Sequence, residues 1–192
     1  MFDLTALIQA VGYLGIFAMV FAESGILLGF FFPGDSLLFT AGLLCSGGIF
    51  NIFILMALTF IGAVTGDSTG YYLGKKFGPK IFNKEKSFFF HPEHVRRTQD
   101  FFNKYGCNTI FIARFIPVVR TFAPVMAGVG KMDYKKFISY NIIGGACWSV
   151  ALPLLGYYLG NSIPDIDKYI LPIAFAIIVI SFIPALLQLR RG

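Results

Sequence analysis

The stretch "FAESGILLGFFFPGDSLLFTAGLL", residues 21–44, is apolar enough for lipid, yet it contains a glutamate, an aspartate and a proline–glycine pair. A helix that crosses a bilayer needs about 20 apolar residues, and an internal proline removes one of its backbone hydrogen bonds. Backbone groups freed at membrane depth are tolerated only where protein or water satisfies them. The stretch therefore predicts a re-entrant hairpin broken at Pro33 and Gly34, with Glu23 and Asp35 lining an enclosed cavity.

The composition of the whole chain indicates a polytopic membrane protein. Of its 192 residues, 56% are hydrophobic and 14% are charged, whereas soluble domains carry about 25% charged residues. The N-terminus lacks the basic segment of a signal peptide, so we expect the mature chain to start at or near Met1. No cysteine or histidine has metal-ligand spacing, so we expect neither a metal nor another cofactor. The three cysteines are predicted to be packing residues: Cys45, Cys107 and Cys147.

Unbroken apolar runs predict three transmembrane helices, at about residues 49–73, 137–159 and 169–189. A further apolar region, at about residues 107–130, is interrupted by prolines and predicts a second re-entrant hairpin. Its predicted breakers are Pro117 and Pro124.

The charges outside the apolar runs indicate an orientation. Residues 75–104 hold eight lysines and arginines against three acids, which predicts a cytoplasmic loop and explains the net charge of +6 without nucleic acid. Within this loop, residues 91–106 predict a helix lying on the membrane surface. If the second hairpin re-enters, the remaining basic clusters face the same side, and the C-terminus is cytoplasmic. These clusters are Lys131, Lys135 and Lys136, and Arg190 and Arg191.

The chain also repeats itself. The pentapeptide "GYYLG" occurs at residues 70–74 and 156–160, an offset of 86, and the same offset places Ala41-Gly42 on Ala127-Gly128. With the predicted orientation, the two copies run in opposite directions. The sequence therefore predicts an all-α membrane protein built as an inverted repeat, in which each half has a re-entrant hairpin and a transmembrane helix. The halves cover about residues 13–74 and 105–160, and a further transmembrane helix follows at 169–189.

Charged residues inside the apolar segments are the candidate functional residues, because each costs roughly 2.5–3.5 kcal/mol at the centre of a membrane helix. They are Glu23, Asp35, Asp67, Arg114 and Arg120. Aligning the two hairpins sets Glu23 close to Arg114, and Asp35 near Arg120. One interpretation is a set of structural salt bridges. Because buried ion pairs add little stability, we favour arginines that bind an anionic headgroup and acids, Glu23 and Asp35, that exchange protons.

Asp67 lies beside a stripe of glycines that predicts close helix packing. The stripe recurs every four residues: Gly62, Gly66, Gly70, Gly74 and Gly78. Asp67 either faces the cavity as an accessory residue or hydrogen-bonds a serine or threonine across the helix contact. Trp148 and the tyrosines of both pentapeptides are interpreted as packing residues or interfacial anchors.

Three segments together resemble the DedA family of bacterial inner-membrane proteins, which are relatives of the VTT-domain (SNARE-associated Golgi) proteins. They are "FAESGILLGFFFPGDSLLFTAGLL", "GDSTGYYLGKKFG" and "RFIPVVRTFAPVMAGVGKMDYKKF". The resemblance implies facing re-entrant hairpins and a role in moving phospholipids or undecaprenyl phosphate between leaflets, with dependence on the proton motive force. It also implies that Glu23 and Asp35 are the membrane acids, and that Arg114 and Arg120 are the paired arginines.

The leading hypothesis is a proton-linked lipid flippase or scramblase whose partners are membrane lipids and protons. The alternative is a cation/proton antiporter that supports envelope pH homeostasis, although two arginines beside the site repel a cation. An enzyme acting on lipid phosphates is not expected, because the apolar regions contain no histidine and no carboxylate group typical of a divalent metal site. A structural partner-binding protein is a fourth reading, and the oligomeric state is left open.

Overall fold

The computed structural model describes residues 4–25, 34–81 and 108–162, and the regular structure in these ranges is entirely α-helical. This confirms the predicted all-α class. The helices are α1 (Leu4–Gly25), α2 (Gly34–Ser46), α3 (Ile52–Ile81), α4 (Asn108–Ala113), α5 (Pro117–Val129) and α6 (Tyr134–Ser162).

Among the described helices, two are long and apolar enough to cross a membrane, α3 over Ile52–Gly78 and α6 over Tyr134–Ser162. They correspond to the predicted spans at 49–73 and 137–159. The helix α3 continues to Ile81, so its last turns include Lys75 and Lys76, which were predicted to begin the loop. The predicted span at 169–189 and the predicted surface helix lie outside the described residues.

Local signals fix where the helices start. The side-chain oxygen of Asn51 accepts the backbone N–H of Phe53 at 2.9 Å and so caps α3. Pro117 occupies the first turn of α5, and Ile116 before it is extended, as steric contact with a proline ring requires. Asp133 accepts the backbone N–H of Lys135 at 2.7 Å at the start of α6.

A Schellman motif ends α5. The N–H of Met132 bonds to the carbonyl of Ala127, and the N–H of Lys131 bonds to the carbonyl of Gly128, each at 3.0 Å. Lys131 has a φ of 53°, in the left-handed region that glycine usually occupies at this position. The turn therefore carries a lysine where a glycine would be less strained.

The prolines were predicted to interrupt the second hairpin, and only one of them marks the break. The chain turns at residues 114–116, between α4 and α5, directly ahead of Pro117. Pro124 lies inside α5 and does not end it, so its assignment as a breaker is wrong. Pro124 removes a single N–H from a helix whose buried side packs on α3 near Gly70, and that packing maintains the helix. In the first hairpin, Gly34 is the first residue of α2, and Pro33 lies outside the described residues.

The described chain divides into two compact units. The first comprises residues 4–20, 34–62 and 147–162, and the second comprises residues 21–25, 63–81 and 108–146. The helices α1, α3 and α6 each contribute residues to both units.

In the first unit, α2 packs on the C-terminal half of α6 through glycines. A Cβ atom at Gly42 would overlap the backbone of Pro153, and one at Gly156 would overlap the carbonyl of Phe39. A Cβ at Gly160 would overlap Ser46. The backbones of α2 and α6 therefore approach more closely than any larger residue would allow.

In the second unit, α5 packs in the same way on the C-terminal half of α3. A Cβ at Gly74 would overlap the carbonyl of Val125, and one at Gly128 would overlap the carbonyl of Tyr71. A Cβ at Gly78 would lie 2.8 Å from the side chain of Val129. The glycine stripe of α3 is thus a packing surface, as predicted.

Tyr71 is the centre of the second unit's apolar core. It is fully buried, its ring stacks on Phe137 at 4.8 Å between centroids, and its hydroxyl donates to the carbonyl of Met132. The packing role predicted for this tyrosine is confirmed. Among the cysteines, Cys45 is buried as predicted, but Cys147 is exposed on α6, and Cys107 lies outside the described residues.

Candidate functional site

The second unit brings four of the five charged membrane residues into one buried cluster. Glu23 lies near the end of α1, Asp67 on α3, Arg114 in the turn after α4, and Arg120 in the first half of α5. Each side chain is at least about nine-tenths buried, with Arg120 the most exposed at 11%. Two acids and two bases make the cluster neutral when all four are ionised.

The cluster contains two ion pairs. Nη2 of Arg120 donates to Oε1 of Glu23, and Nη2 of Arg114 contacts Oδ2 of Asp67. The alignment of the hairpins placed Glu23 against Arg114, and this pairing is wrong, because Arg114 pairs with the acid on α3 instead. The alignment compared only the hairpins and left α3 out.

Close packing of α1 on α3 explains why both acids reach the arginines. A Cβ at Gly66 would lie 2.8 Å from the side chain of Ser24, and one at Gly25 would lie 2.9 Å from the carbonyl of Gly66. Glu23 and Asp67 are the chain neighbours of these contact residues. The glycine stripe thus determines the position of the acids as well as the packing. Asp67 contacts Arg114, and its role as an accessory residue stays a prediction.

Asn141 on α6 is a further member of the cluster that sequence reasoning did not identify. It is fully buried, accepts a hydrogen bond from Nη2 of Arg114 at 2.5 Å, and donates to the carbonyl of Val64 at 3.2 Å. The available signal was a single amide within the apolar run "NIIGGACW", where an unpaired polar group is costly. Asn141 therefore links Arg114 to the backbone of α3.

Asp35 lies in the first unit, in the first turn of α2. Its Oδ1 accepts the indole N–H of Trp148 at 2.7 Å, and Trp148 is buried. The proximity predicted for Asp35 and Arg120 stays a prediction. Trp148 thus packs as predicted, and it also has a hydrogen-bonding role that the sequence did not suggest.

The chemistry of the cluster follows from its donors and acceptors. A guanidinium group offers a planar set of N–H donors that matches carboxylate and phosphate oxygens equally well. Burial and a neighbouring arginine act in opposite directions on the proton affinity of a carboxylate. An anion that enters the cluster competes with Glu23 and Asp67 for the arginines. Within the described ranges, no three histidine, cysteine or acidic side chains are grouped as metal ligands would be.

Comparison with known proteins identifies relatives of the same kind. Residues 32–158 match the VTT domain family. The chain is 38% identical over 181 residues to the protein DedA of Escherichia coli K12, an alignment that covers 93% of this chain and 82% of DedA. It is 42% identical over 179 residues to the uncharacterized membrane protein Rv0364 of Mycobacterium tuberculosis H37Rv, covering 92% and 78% of the two chains.

A second protein from that strain, the uncharacterized membrane protein Rv2637, is 36% identical over 195 residues, covering 98% of this chain and 89% of its own length. No solved structure matches the chain. Together with the apolar helices, these matches mean that the chain is a membrane protein of the DedA family and contains a VTT domain.

Proposed function

We propose that this protein moves a lipid phosphate between the two leaflets of the membrane, as a flippase or scramblase linked to the proton motive force. The substrate is undecaprenyl phosphate or a phospholipid such as phosphatidylethanolamine. The observation that carries the proposal is the buried neutral cluster, in which Arg114 and Arg120 each contact a carboxylate that can take up a proton.

The proposed cycle exchanges one anion for another at the arginines. Protonation of Glu23 neutralises the partner of Arg120, and the guanidinium then binds the phosphate oxygens of the lipid headgroup. Protonation of Asp67 does the same for Arg114, and Asp35 keeps the proton-exchanging role predicted from the sequence. Loss of these protons restores the ion pairs and expels the headgroup, which couples lipid movement to the proton gradient.

Two physical arguments favour transport over a structural lock. Replacing a buried ion pair by apolar residues of similar volume is often neutral or stabilising, so two such pairs are a poor way to hold helices together. Moreover, the glycine contacts of α3 with α1 and α5 already provide close packing. The antiporter alternative uses the same two carboxylates, but a cation must then approach two guanidinium groups.

The proposal also specifies the membrane in which the protein lies and its orientation there. We place the protein in the bacterial inner membrane, with the basic loop 75–104 and the C-terminus in the cytoplasm, following the positive-inside rule. Its partners are membrane lipids and protons, and it performs no covalent chemistry.

The test is leaflet exchange in proteoliposomes that contain a trace of fluorescent phosphatidylethanolamine or fluorescent polyprenyl phosphate, with dithionite bleaching of the outer leaflet. We expect wild-type protein to expose inner-leaflet lipid to bleaching, with a rate that changes when a pH gradient is imposed. Arg120→Ala should lower the rate by at least about tenfold, because one charge-assisted hydrogen bond of about 1.5–3 kcal/mol to the phosphate is lost. Glu23→Gln cannot exchange a proton and should remove the dependence of the rate on the pH gradient.

The matched control is Thr59→Val, which removes a buried hydroxyl that bonds only within α3, to the carbonyls of Leu55 and Met56. This variant should exchange lipid at the wild-type rate. If wild-type vesicles move neither lipid, but respond to a sodium or potassium gradient with a change in internal pH, the antiporter replaces the lipid transporter.

A further inference from the structure

The side chain of Arg114 lies in a slot formed by two helices. One side is α3, with Asp67 and Val64, and the other is α6, with Asn141, Gly144 and Gly145. The three α6 residues are spaced at i, i+3 and i+4, which places them on one face of the helix. We call this arrangement the Arg114 slot.

The α6 side of the slot fits the arginine closely. A Cβ at Gly144 would lie 3.3 Å from Cδ of Arg114, and one at Gly145 would lie 3.0 Å from its Nη1. The same added Cβ at Gly145 would also lie 3.0 Å from the side chain of Val64. Glycine at 145 therefore leaves just enough room for a guanidinium between α3 and α6.

The hydrogen bonds of the slot fix the orientation of the guanidinium. The contacts to Asp67 and to Asn141 both use Nη2. Asn141 is itself oriented by its bond to the carbonyl of Val64, so its oxygen faces the arginine. Nη2 thus contacts Asp67 on α3 and Asn141 on α6, while Nη1 lies beside Gly145.

We propose that Asn141 and Gly145 are positioning residues for Arg114, which hold its guanidinium in the orientation that binds a phosphate oxygen of the transported lipid once Asp67 is protonated. The proposal rests on the lipid-phosphate function proposed above and adds to it the residues that orient the binding group. Asn141 touches the arginine and not the substrate, so its substitution acts on how well the phosphate is bound.

The test combines binding with transport. Isothermal titration of dodecyl phosphate into detergent-solubilised protein gives a dissociation constant, and lipid exchange at several mole fractions of fluorescent polyprenyl phosphate gives a half-saturation value and a maximal rate. We expect Asn141→Leu, of similar volume, to raise both the dissociation constant and the half-saturation value about tenfold, since a hydrogen bond to a charged group is lost. The maximal rate should change much less.

A double-substitution cycle separates positioning from general stability. Arg114→Lys keeps the charge but loses the planar fork, so Asn141 has no guanidinium left to orient. If Asn141 acts through Arg114, Asn141→Leu/Arg114→Lys should bind dodecyl phosphate no more weakly than Arg114→Lys alone. Additive losses would overturn the proposal, because they are what a purely structural amide produces.

Gly145→Ala is the second variant, in case Asn141→Leu does not fold. Alanine favours the helix, so α6 itself is not weakened, while the added Cβ displaces Nη1. Gly15→Ala, where a Cβ has open space, is its matched control and should bind as wild type. Equal binding by Gly145→Ala and Gly15→Ala would also contradict the proposal.

The outcomes distinguish the slot from the transport function. If the wild type binds dodecyl phosphate in a way that depends on Asn141 but moves no lipid, the proposed transport function is wrong and the positioning role of Asn141 is supported. If the wild type moves lipid and Asn141→Leu has the same dissociation constant and half-saturation value, the positioning role is wrong and the transport function is supported. If the wild type does not bind dodecyl phosphate, the proposal that Arg114 is positioned for phosphate binding is contradicted.

Discussion

The contact of α2 with α6 in the first unit and the contact of α5 with α3 in the second use the same pentapeptide, "GYYLG", to bring helix backbones together. The second unit adds two buried ion pairs, whereas the first has the hydrogen bond between Trp148 and Asp35. At the repeat offset of 86, Asp67 corresponds to Pro153 and Asn141 corresponds to Leu55. The repeat thus preserves the packing residues and leaves the charged positions free to differ.

The two contacts also differ in register. The carbonyl of Val125 meets Gly74, but the carbonyl of Phe39, its counterpart at the offset of 86, meets Gly156, which is the counterpart of Gly70. The shift is four residues, about one helical turn. Glycine at every fourth position of α3 permits either register, so the stripe alone does not determine which one forms.

The largest expected effect tests whether both contacts are essential. Gly74→Leu and Gly156→Leu each force a side chain into a backbone carbonyl, and we expect neither variant to yield folded protein in detergent by size-exclusion chromatography. Gly15→Ala, with open space around it, should elute as wild type. A folded variant at only one of the two sites would mean that the two contacts are not equivalent.

The next largest effect concerns the ion pair between Arg114 and Asp67, which is present in the second unit. Arg114→Met leaves Asp67 buried without its partner and should lower the free energy of unfolding by about 3–5 kcal/mol. Asp67→Leu/Arg114→Met removes both charges and should recover most of that loss. Chemical denaturation of the purified variants measures both values, and a double variant as unstable as Arg114→Met would show that the pair holds the unit together.

A smaller effect is expected in the first unit. Trp148→Phe retains an aromatic ring and loses the hydrogen bond to Asp35, which should cost about 2 kcal/mol. In the Asp35→Leu variant, Trp148→Phe should cause little further loss, since the hydrogen bond that the two residues share is already absent. Independent losses in the same denaturation assay would show that the bond contributes little.

The smallest effect concerns the turn between α5 and α6. Lys131→Gly relieves the left-handed conformation and should raise the free energy of unfolding by about 1 kcal/mol. Lys136→Gly removes the same charge from the exposed face of α6 and should lower it by about 1 kcal/mol. Shifts of the same sign would indicate that charge, and not backbone conformation, governs the response.

The features predicted from the sequence are those with a regular spacing. The apolar runs predicted α3 and α6 to within a few residues at most ends, and the four-residue glycine period predicted the packing face of α3. The positions of the charges predicted a buried cluster, because lipid makes isolated charges costly. The ion-pair partners were not predictable, since they depend on how α1 and α3 approach each other. Asn141 was missed because a single amide has no periodicity, and Pro124 was misassigned because packing on α3 offsets one lost backbone bond.

The most direct test of the central claim is lipid exchange by Glu23→Gln/Arg120→Gln, which replaces a buried ion pair with two neutral amides. Exchange of fluorescent polyprenyl phosphate and phosphatidylethanolamine would be measured per folded molecule, with the folded fraction taken from size-exclusion chromatography. If the cluster is the transport site, the double variant stays folded and its exchange falls to that of protein-free vesicles. Exchange at the wild-type rate by the folded double variant would contradict the account and leave the pair a structural feature.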